Sequence, residues 1–323
     1  MKKNILITGG LGFIGTNLIR RLLKTTSFTI TILDKLSYPK KSHNLPSDKT
    51  TKGRVKIVDG DVLKKRVVKN LAEDAFAIVH MAANTHTFDS LTSTLPAVMT
   101  NVVGTTIMLE AALKNQVEKF ILFSSSGVYG NKIKGIPMDE NHPLIPVNPY
   151  GASKLAADRI AYSFFLTNKL PVVILRPFNI YGPYQSTKKM IPLFITRLIK
   201  NLPIYLNHAG KQKRDWLYVE DLVNALDLII KAPKEKVAGE IFNVGRGETN
   251  TVAETAKLLL KKLHKNRDLI QISKSSQPEV LGNVGISKRI KQVLGWTPRH
   301  SLEEGLDKTI KWYLNNRSWW DRL

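Results

Sequence analysis

Tyr150 and Lys154 stand four residues apart in Tyr-Gly-Ala-Ser-Lys, at the head of a helix-like stretch that runs from Gly151 to Asn168. That spacing puts both side chains on one helical face. A free phenol ionises near pH ~10, too high for a base at neutral pH. A neighbouring ammonium favours the phenolate. Tyr150 can then take the proton of a substrate hydroxyl as the carbon beneath it is oxidised. Taken alone, the pattern is equally that of an exposed Tyr–Lys pair. Ser124, Ser125 and Ser126 follow the apolar run Lys119–Phe123. Hydroxyls at the carboxyl end of a strand would reach a substrate oxygen, and the other reading is turn chemistry.

A second constellation gives the pair a context. Thr8-Gly9-Gly10-Leu11-Gly12-Phe13-Ile14-Gly15 follows the apolar run Asn4–Thr8 and leads into a helix-like stretch, Phe13–Lys24. Glycines there allow a tight turn and a close backbone approach, and the helix aims its first N–H groups at a pyrophosphate. An acid about twenty residues on, Asp34, closes the next β-rich run. A carboxylate at that place accepts ribose hydroxyls and repels a 2′-phosphate, so the expected cofactor is NAD rather than NADP. Lys35, a cation next to that acid, is the one feature that would tolerate NADP. An oxidised nicotinamide would add a second positive charge beside Tyr150.

Elements must place these groups together. Apolar runs at Asn4–Thr8, Phe28–Leu33, Val55–Val58, Ala75–Met81, Lys119–Ser124 and Val172–Arg176 alternate with helical patterns at Phe13–Lys24, Val62–Ala72, Leu95–Asn115 and Gly151–Asn168. Strands alternating with helices imply an α/β fold with a doubly wound parallel sheet and a ligand beyond the carboxyl ends of its strands. After Pro177 the pieces shorten: Lys189–Asn201, Val219–Lys231, Thr251–Lys262, Ser287–Leu294 and Ser301–Asn315. They read as a smaller, mostly helical C-terminal lobe, with Ser273–Gly282 as a loop.

Composition narrows the class. Of 323 residues 43% are hydrophobic, which suffices for a packed core. There is no cysteine, so disulfides and thiolate chemistry are excluded, and no metal site is expected. No stretch reaches the ~18–20 apolar residues of a membrane helix. No membrane association is expected, and a cytoplasmic location is. The 49 basic and 26 acidic residues give a net charge of +23. The lysines come in ones and twos, without the tract that marks nucleic-acid binding. A basic surface still attracts a diphosphate.

The chain resembles the NAD-dependent epimerase/dehydratase family of extended short-chain dehydrogenases, on TGGLGFIG at 8–15, DGDV at 59–62, HMAA at 80–83, TNVVGT at 100–105, SSSGVYG at 124–130, YGASK at 150–154, RPFNIYGP at 176–183, RDWLYVEDL at 214–222 and LGWTPRHSLEEGL at 294–306. LDKLSY at 33–38, YGPYQ at 181–185 and RDWLYVED look most like its dTDP-glucose 4,6-dehydratases; UDP-sugar 4-epimerases are the other similar group. The resemblance implies a Rossmann-type NAD-binding domain over 1–177, rejoined by segments near 215–245, and a substrate-binding lobe over 178–323. It implies a nucleoside-diphosphate sugar as substrate, and a homodimer built on the helices near 95–115 and 151–168. Carried over by position, Gly9, Gly12, Phe13, Ile14, Gly15, Asp34, Asp61, Val62, Ala82, Ala83, Asn101, Tyr150, Lys154 and Pro177 hold the cofactor. Tyr150, Lys154 and Ser125 are catalytic. Ser126, His86, Asn179, Tyr205 and Arg214 meet the substrate, with Asn179 and Arg214 on the diphosphate and Tyr205 on the base. Other readings stay open: a loop residue for His86, turn chemistry for Asn179, a partner of Asp215 for Arg214, core for Tyr205.

Two departures from the family pattern bear on the reaction. The dehydratases carry an Asp-Glu pair, the acid and base of water elimination across C5–C6, where this chain has Ser126 and Gly127. Their Arg-Pro-Gly tail stretch is replaced by Ser276-Gln277-Pro278-Glu279. The expectation is therefore a nucleotide-sugar 4-epimerase that works through a transient 4-keto sugar and tightly bound NAD. The alternatives are a 4,6-dehydratase with a displaced acid/base pair, His86 among the candidates, and a 4-dehydrogenase that releases the keto sugar.

Overall fold

The structure is a computed structural model, and it describes residues 3–36, 44–46, 51, 53–85, 89–134, 136, 138–273 and 282–321. In chain order the strands are β1 (Asn4–Thr8), β2 (Thr29–Asp34), β3 (Val55–Asp59), β4 (Ala77–His80), β5 (Lys119–Phe123), β6 (Val172–Pro177), β7 (Asn179–Tyr181), β8 (Ile204–Leu206), β9 (Lys213–Arg214), β10 (Trp216–Tyr218), β11 (Ile241–Val244), β12 (Asn250–Thr251) and β13 (Ile270–Ile272). Seven of them form one parallel sheet in the order β11-β6-β5-β4-β1-β2-β3. The order reverses between β1 and β4, which opens a crevice at their carboxyl ends. This is the doubly wound, Rossmann-type arrangement expected.

Both faces of the sheet are covered, which explains strands that are apolar at nearly every position. Ile5, Ile7, Ile30, Ile32, Val79, Ile121, Val173 and Leu175 pack on one side, under the helices Phe13–Thr25 and Val219–Lys231. Leu6, Ile78, Phe120, Leu122, Val172 and Ile174 pack on the other, under Lys65–Glu73, Gly104–Lys114 and Pro149–Asn168. The remaining short strands form three two-stranded ribbons among the C-terminal helices.

Three expectations need correction. β11 was missing from the expected strands: Ile-Phe-Asn-Val is only four residues long and carries no alternation to announce it. The expected helix 95–115 is interrupted. A π-helical turn, Met99–Val103, separates Leu95–Val98 from Gly104–Lys114. The same run, Leu95–Lys114, is 20 residues long and apolar enough to cross a membrane by length and composition, contrary to the expectation that no such stretch exists. Here it packs along the helices Lys65–Glu73 and Pro149–Asn168.

One buried ion pair fixes the helix Pro149–Asn168 against the sheet. Asp158 and Arg176 are 0% and 1% exposed, and the guanidinium meets both carboxylate oxygens, at 2.9 and 3.0 Å. Ser124 at the end of β5 donates to the same carboxylate at 2.8 Å. Arg176 also donates to the Tyr129 hydroxyl at 2.9 Å, and Tyr129 donates to Asn243 on β11 at 2.7 Å. Burial alone would raise the Asp158 pKa; the bonds and charges of Arg176 and Arg159 outweigh it and hold the carboxyl below its ordinary value. Breaking a buried pair strands the surviving charge, so Asp158→Ala should cost about 3–5 kcal/mol. Replacing both partners, Asp158→Leu with Arg176→Met, should cost less than Asp158→Ala alone. Urea unfolding measures both, and an Asp158→Ala protein as stable as the parent would refute the pin.

Candidate active site

The glycine loop is built for close approach. Gly9 has φ +67°, and a Cβ there would stand 2.9 Å from the backbone of Ala82. A Cβ on Gly15 would fall 2.5 Å from the Gly10 carbonyl oxygen. The helix that follows, Phe13–Thr25, starts at Gly12 with no side-chain cap and no acid in its first turn. The N–H groups of Phe13, Ile14 and Gly15 are therefore left for an anion. Asp34 is buried beside this loop and accepts from the Leu11 amide at 3.0 Å and the Leu36 amide at 3.2 Å. Lys35 makes an ion pair with Asp61 at 2.7 Å, which partly offsets the cation that would favour a 2′-phosphate. Burial raises the Asp61 pKa, but Lys35, the Leu63 amide and Lys64 together lower it. Val62 is buried, Ala82 and Ala83 are half-buried at the crevice, and Pro177 closes β6. The residues fit a dinucleotide.

The catalytic candidates converge beside that crevice. Asn148 caps the helix by accepting from the Gly151 amide at 2.8 Å, and Pro149 takes the first position, so Tyr150 sits in the first turn. A Cβ on Gly151 would lie 2.7 Å from the Gly127 carbonyl, so only glycine lets this helix approach the turn after β5. Ser125 accepts from the Gly127 amide at 3.0 Å and, like the Tyr150 ring, lies close beside Gly127. Lys154 is buried, and its ammonium donates to the carbonyl of Phe123, the last residue of β5. Burial lowers the Lys154 pKa to about 8, against the charge of Asp158, which raises it. Burial raises the Tyr150 pKa above that of an ordinary phenol, and Ser125 lowers it in part. On the protein's own groups the phenol therefore stays protonated at neutral pH.

A directional chain of hydrogen bonds ties the cofactor loop to this helix. Ala82 N–H donates to the Thr8 hydroxyl at 3.1 Å, and Thr8 meets His80 Nδ1 at 2.7 Å. His80 Nε2 meets Thr105 at 3.0 Å, and Thr105 donates to the Asn101 carbonyl at 2.6 Å. Because Thr105 uses its own hydrogen on Asn101, it accepts from Nε2–H, which sets the tautomer of a neutral His80. Burial, helped by the Lys154 charge, lowers the His80 pKa to about 3. Asn101, in the π-turn, accepts from the Asn84 amide at 2.8 Å and donates to Ser153 at 2.9 Å; Ser153 donates to the Tyr150 carbonyl at 2.8 Å. Asn101 thus clamps the loop after β4 to the catalytic helix, a role beyond lining the cofactor channel.

The substrate candidates are less uniform. Ser126 is buried in the turn after β5. Asn179 starts β7, and both its amide hydrogens are engaged, by the Asp215 carbonyl at 3.3 Å and by Asn283 at 3.2 Å. As placed, its NH₂ faces Asp215 and Asn283. Arg214 lies half-buried on β9 and donates to the Lys213 carbonyl at 3.0 Å. The Asp215 carboxylate instead gathers the amides of Arg246, Gly247 and Gly285 at 2.8, 3.0 and 3.0 Å. Tyr205 is 50% exposed with the Arg197 guanidinium 5.5 Å from its ring, so it is not core. His86 and the tail stretch 276–279 lie outside the described residues. His80, Thr105 and Asn283 were missed by the sequence reasoning; His80 had a signal as the first residue of HMAA and Thr105 as the last of TNVVGT, and Asn283 had none.

The comparisons with known proteins agree with this geometry. The chain matches the NAD dependent epimerase/dehydratase family over residues 5–245. It is 35% identical over 326 residues to the dTDP-glucose 4,6-dehydratase of Streptomyces antibioticus, covering 99% of this chain and 95% of that one. Its fold is similar to the crystal structure of the dTDP-glucose 4,6-dehydratase DesIV of Streptomyces venezuelae with NAD bound: TM-score 0.93, 32% identity, 99% of each chain. UDP-glucose 4-epimerase of Thermotoga maritima, solved with UDP-glucose, follows with TM-score 0.90 and 27% identity, covering 97% of this chain and 99% of that one. A crevice cradling a dinucleotide beside a Ser–Tyr–Lys group defines a nicotinamide-dependent enzyme of the short-chain dehydrogenase type. This chain belongs to the NAD-dependent epimerase/dehydratase family.

Two outcomes follow. Asp34→Ala should lower the preference for NAD over NADP by about tenfold, the worth of a charged hydrogen bond. Fluorescence titration with each dinucleotide measures it, and tighter binding of NADP by the parent protein would overturn the assignment. Lys154 loses its ammonium as the pH rises through about 8. The phenolate loses its stabilising charge there, so turnover should level off or fall above about pH 8. A rate still climbing at pH 10 would show that Lys154 supplies no such charge.

Proposed function

We propose that this enzyme oxidises the C4 hydroxyl of a hexose carried on a pyrimidine nucleoside diphosphate, with dTDP-glucose the first substrate to try. The observation that carries the reading is the convergence of Ser125, Tyr150 and Lys154 at the carboxyl end of β5, beside the glycine loop. NAD, when bound, supplies the acceptor for the hydrogen removed from carbon. Tyr150 takes the hydroxyl proton as a phenolate, which the positive charge of an oxidised nicotinamide would favour; Ser125 holds the oxygen, and the ammonium of Lys154 sits on the same helical face.

The fate of the ketone separates two readings. Loss of water, a 4,6-dehydratase, has the better support from relatives: full-length likeness is to dehydratases at 32–35% identity, against 27% for the Thermotoga maritima 4-epimerase. The 4-epimerase expectation is accordingly the less favoured of the two. One local feature still speaks for it. A Cβ on Gly127 would stand 3.3 Å from the Ser125 hydroxyl and 3.9 Å from the Tyr150 ring, so this position faces the reacting group with no side chain to move a proton. A dehydratase here must draw its acid and base from positions other than 126 and 127. As part of the same proposal the chain pairs with a second copy, through helices on which Leu95, Met99 and Leu166 are exposed.

Mass spectrometry of the product from dTDP-glucose tests the reading. A product lighter by one water is the dehydratase outcome, and one of equal mass with inverted C4 is the epimerase outcome. Tyr150→Phe should lower either rate by about 10²–10⁴ while the protein stays folded. Activity within tenfold of the parent would remove Tyr150 from the role of base.

A further inference from the structure

A second chain of side-chain hydrogen bonds ends beside Ser125 and Tyr150. Its three members come from distant parts of the sequence. Asn179 opens β7, Ser126 lies in the turn after β5, and Asn283 follows Gly282, which bridges to Lys213. Asn179 Nδ2 donates to Asn283 Oδ1 at 3.2 Å, and Asn283 Nδ2 donates to Ser126 Oγ at 3.5 Å. Asn283 and Ser126 are each 7% exposed, so bulk water competes little for these bonds.

The direction of the chain decides what Ser126 can do. Both amide hydrogens of Asn179 point inward, to Asp215 and Asn283. Asn283 therefore accepts with its oxygen and has only its NH₂ to turn toward Ser126. Ser126 Oγ accepts that bond, and its own hydrogen is left to point elsewhere. The neighbouring residue, Gly127, faces the Tyr150 ring without a side chain in between. A hydroxyl fixed as a donor beside the reacting group recognises an oxygen acceptor on the substrate.

We propose that Asn283 is a specificity-determining positioning residue, which acts through Ser126 to present an O–H donor to a sugar oxygen next to the carbon that is oxidised. The proposal rests on the C4 reading above only for which carbon that is. Its test is binding, which does not need turnover. Asn283→Asp keeps the size and removes the donor. The carboxylate accepts from Asn179 and from Ser126 alike, which turns the Ser126 hydrogen away from the sugar. Asn283→Ala removes the bond without adding charge and serves if the aspartate variant does not fold.

Calorimetric titration with dTDP-glucose, and separately with dTDP alone, reads the effect. Asn283→Asp and Ser126→Ala should each weaken the sugar nucleotide about tenfold and leave dTDP unchanged, the usual size for one hydrogen bond. The double variant should bind no more weakly than either single one, because both changes remove the same bond. Thermal midpoint and retained NAD should match the parent. Two losses that multiply, an Asn283→Asp protein that binds as the parent does, or equal weakening of dTDP alone would each overturn the proposal. If the parent binds dTDP-glucose, the cycle holds, and no product forms, the C4 reading fails and this one stands.

Discussion

The site depends on one carboxylate. Asp158 lies four residues after Lys154 on the helix that also carries Tyr150, and it is wholly buried. Its partners are Arg176 on β6 and Ser124 at the end of β5. Two strands and the catalytic helix therefore meet at a single charge. A displacement of that helix would carry Tyr150 away from Ser125 and Lys154 away from the Phe123 carbonyl. A buried charge pair is a poor source of stability when set against apolar packing, but it tolerates only one geometry. Holding reacting groups in one geometry is what catalysis requires of a scaffold.

The second constraint is the crevice between β1 and β4. His80 stands there between two threonines, neutral and with its tautomer set by what Thr105 does with its proton. The π-turn at Met99–Val103 places Asn101 where its side chain can join the loop after β4 to the helix of Tyr150. Cofactor cradle and catalytic helix are thus parts of one hydrogen-bonded assembly. The asparagine pair from β7 and from the segment after Gly282 reaches Ser126, in the turn that faces Tyr150. In this way residues scattered from Thr8 to Asn283 come together around the crevice and the catalytic helix.

Much of this was legible before any coordinates. The central strands are apolar on both faces and alternate with amphipathic helices, so their order along the chain gave the parallel sheet and the crevice. The glycine loop, Asp34 and the Tyr–Lys pair are local patterns with a physical reason for each residue. What escaped was set by tertiary contact. β11 is too short to show a period. The break in the helix after Leu95 comes from a π-turn that apolar spacing does not reveal. The bonds of Asn179 to Asp215 and Asn283 join residues far apart in the chain, which no spacing discloses. Tyr150 needed its burial known before the direction of its pKa could be read.

The central claim is that the bond from carbon to hydrogen at C4 breaks while Tyr150 removes the hydroxyl proton. It is tested most directly by single-turnover reaction of dTDP-glucose carrying deuterium at C4, compared with the unlabelled sugar. Both fates of the ketone share this step, so the result does not wait on deciding between them. The account predicts slower consumption of the deuterated sugar by the parent protein and, for Tyr150→Phe, consumption of either sugar slowed by about 10²–10⁴. Equal rates for the two sugars, or unimpaired consumption by Tyr150→Phe, would contradict it.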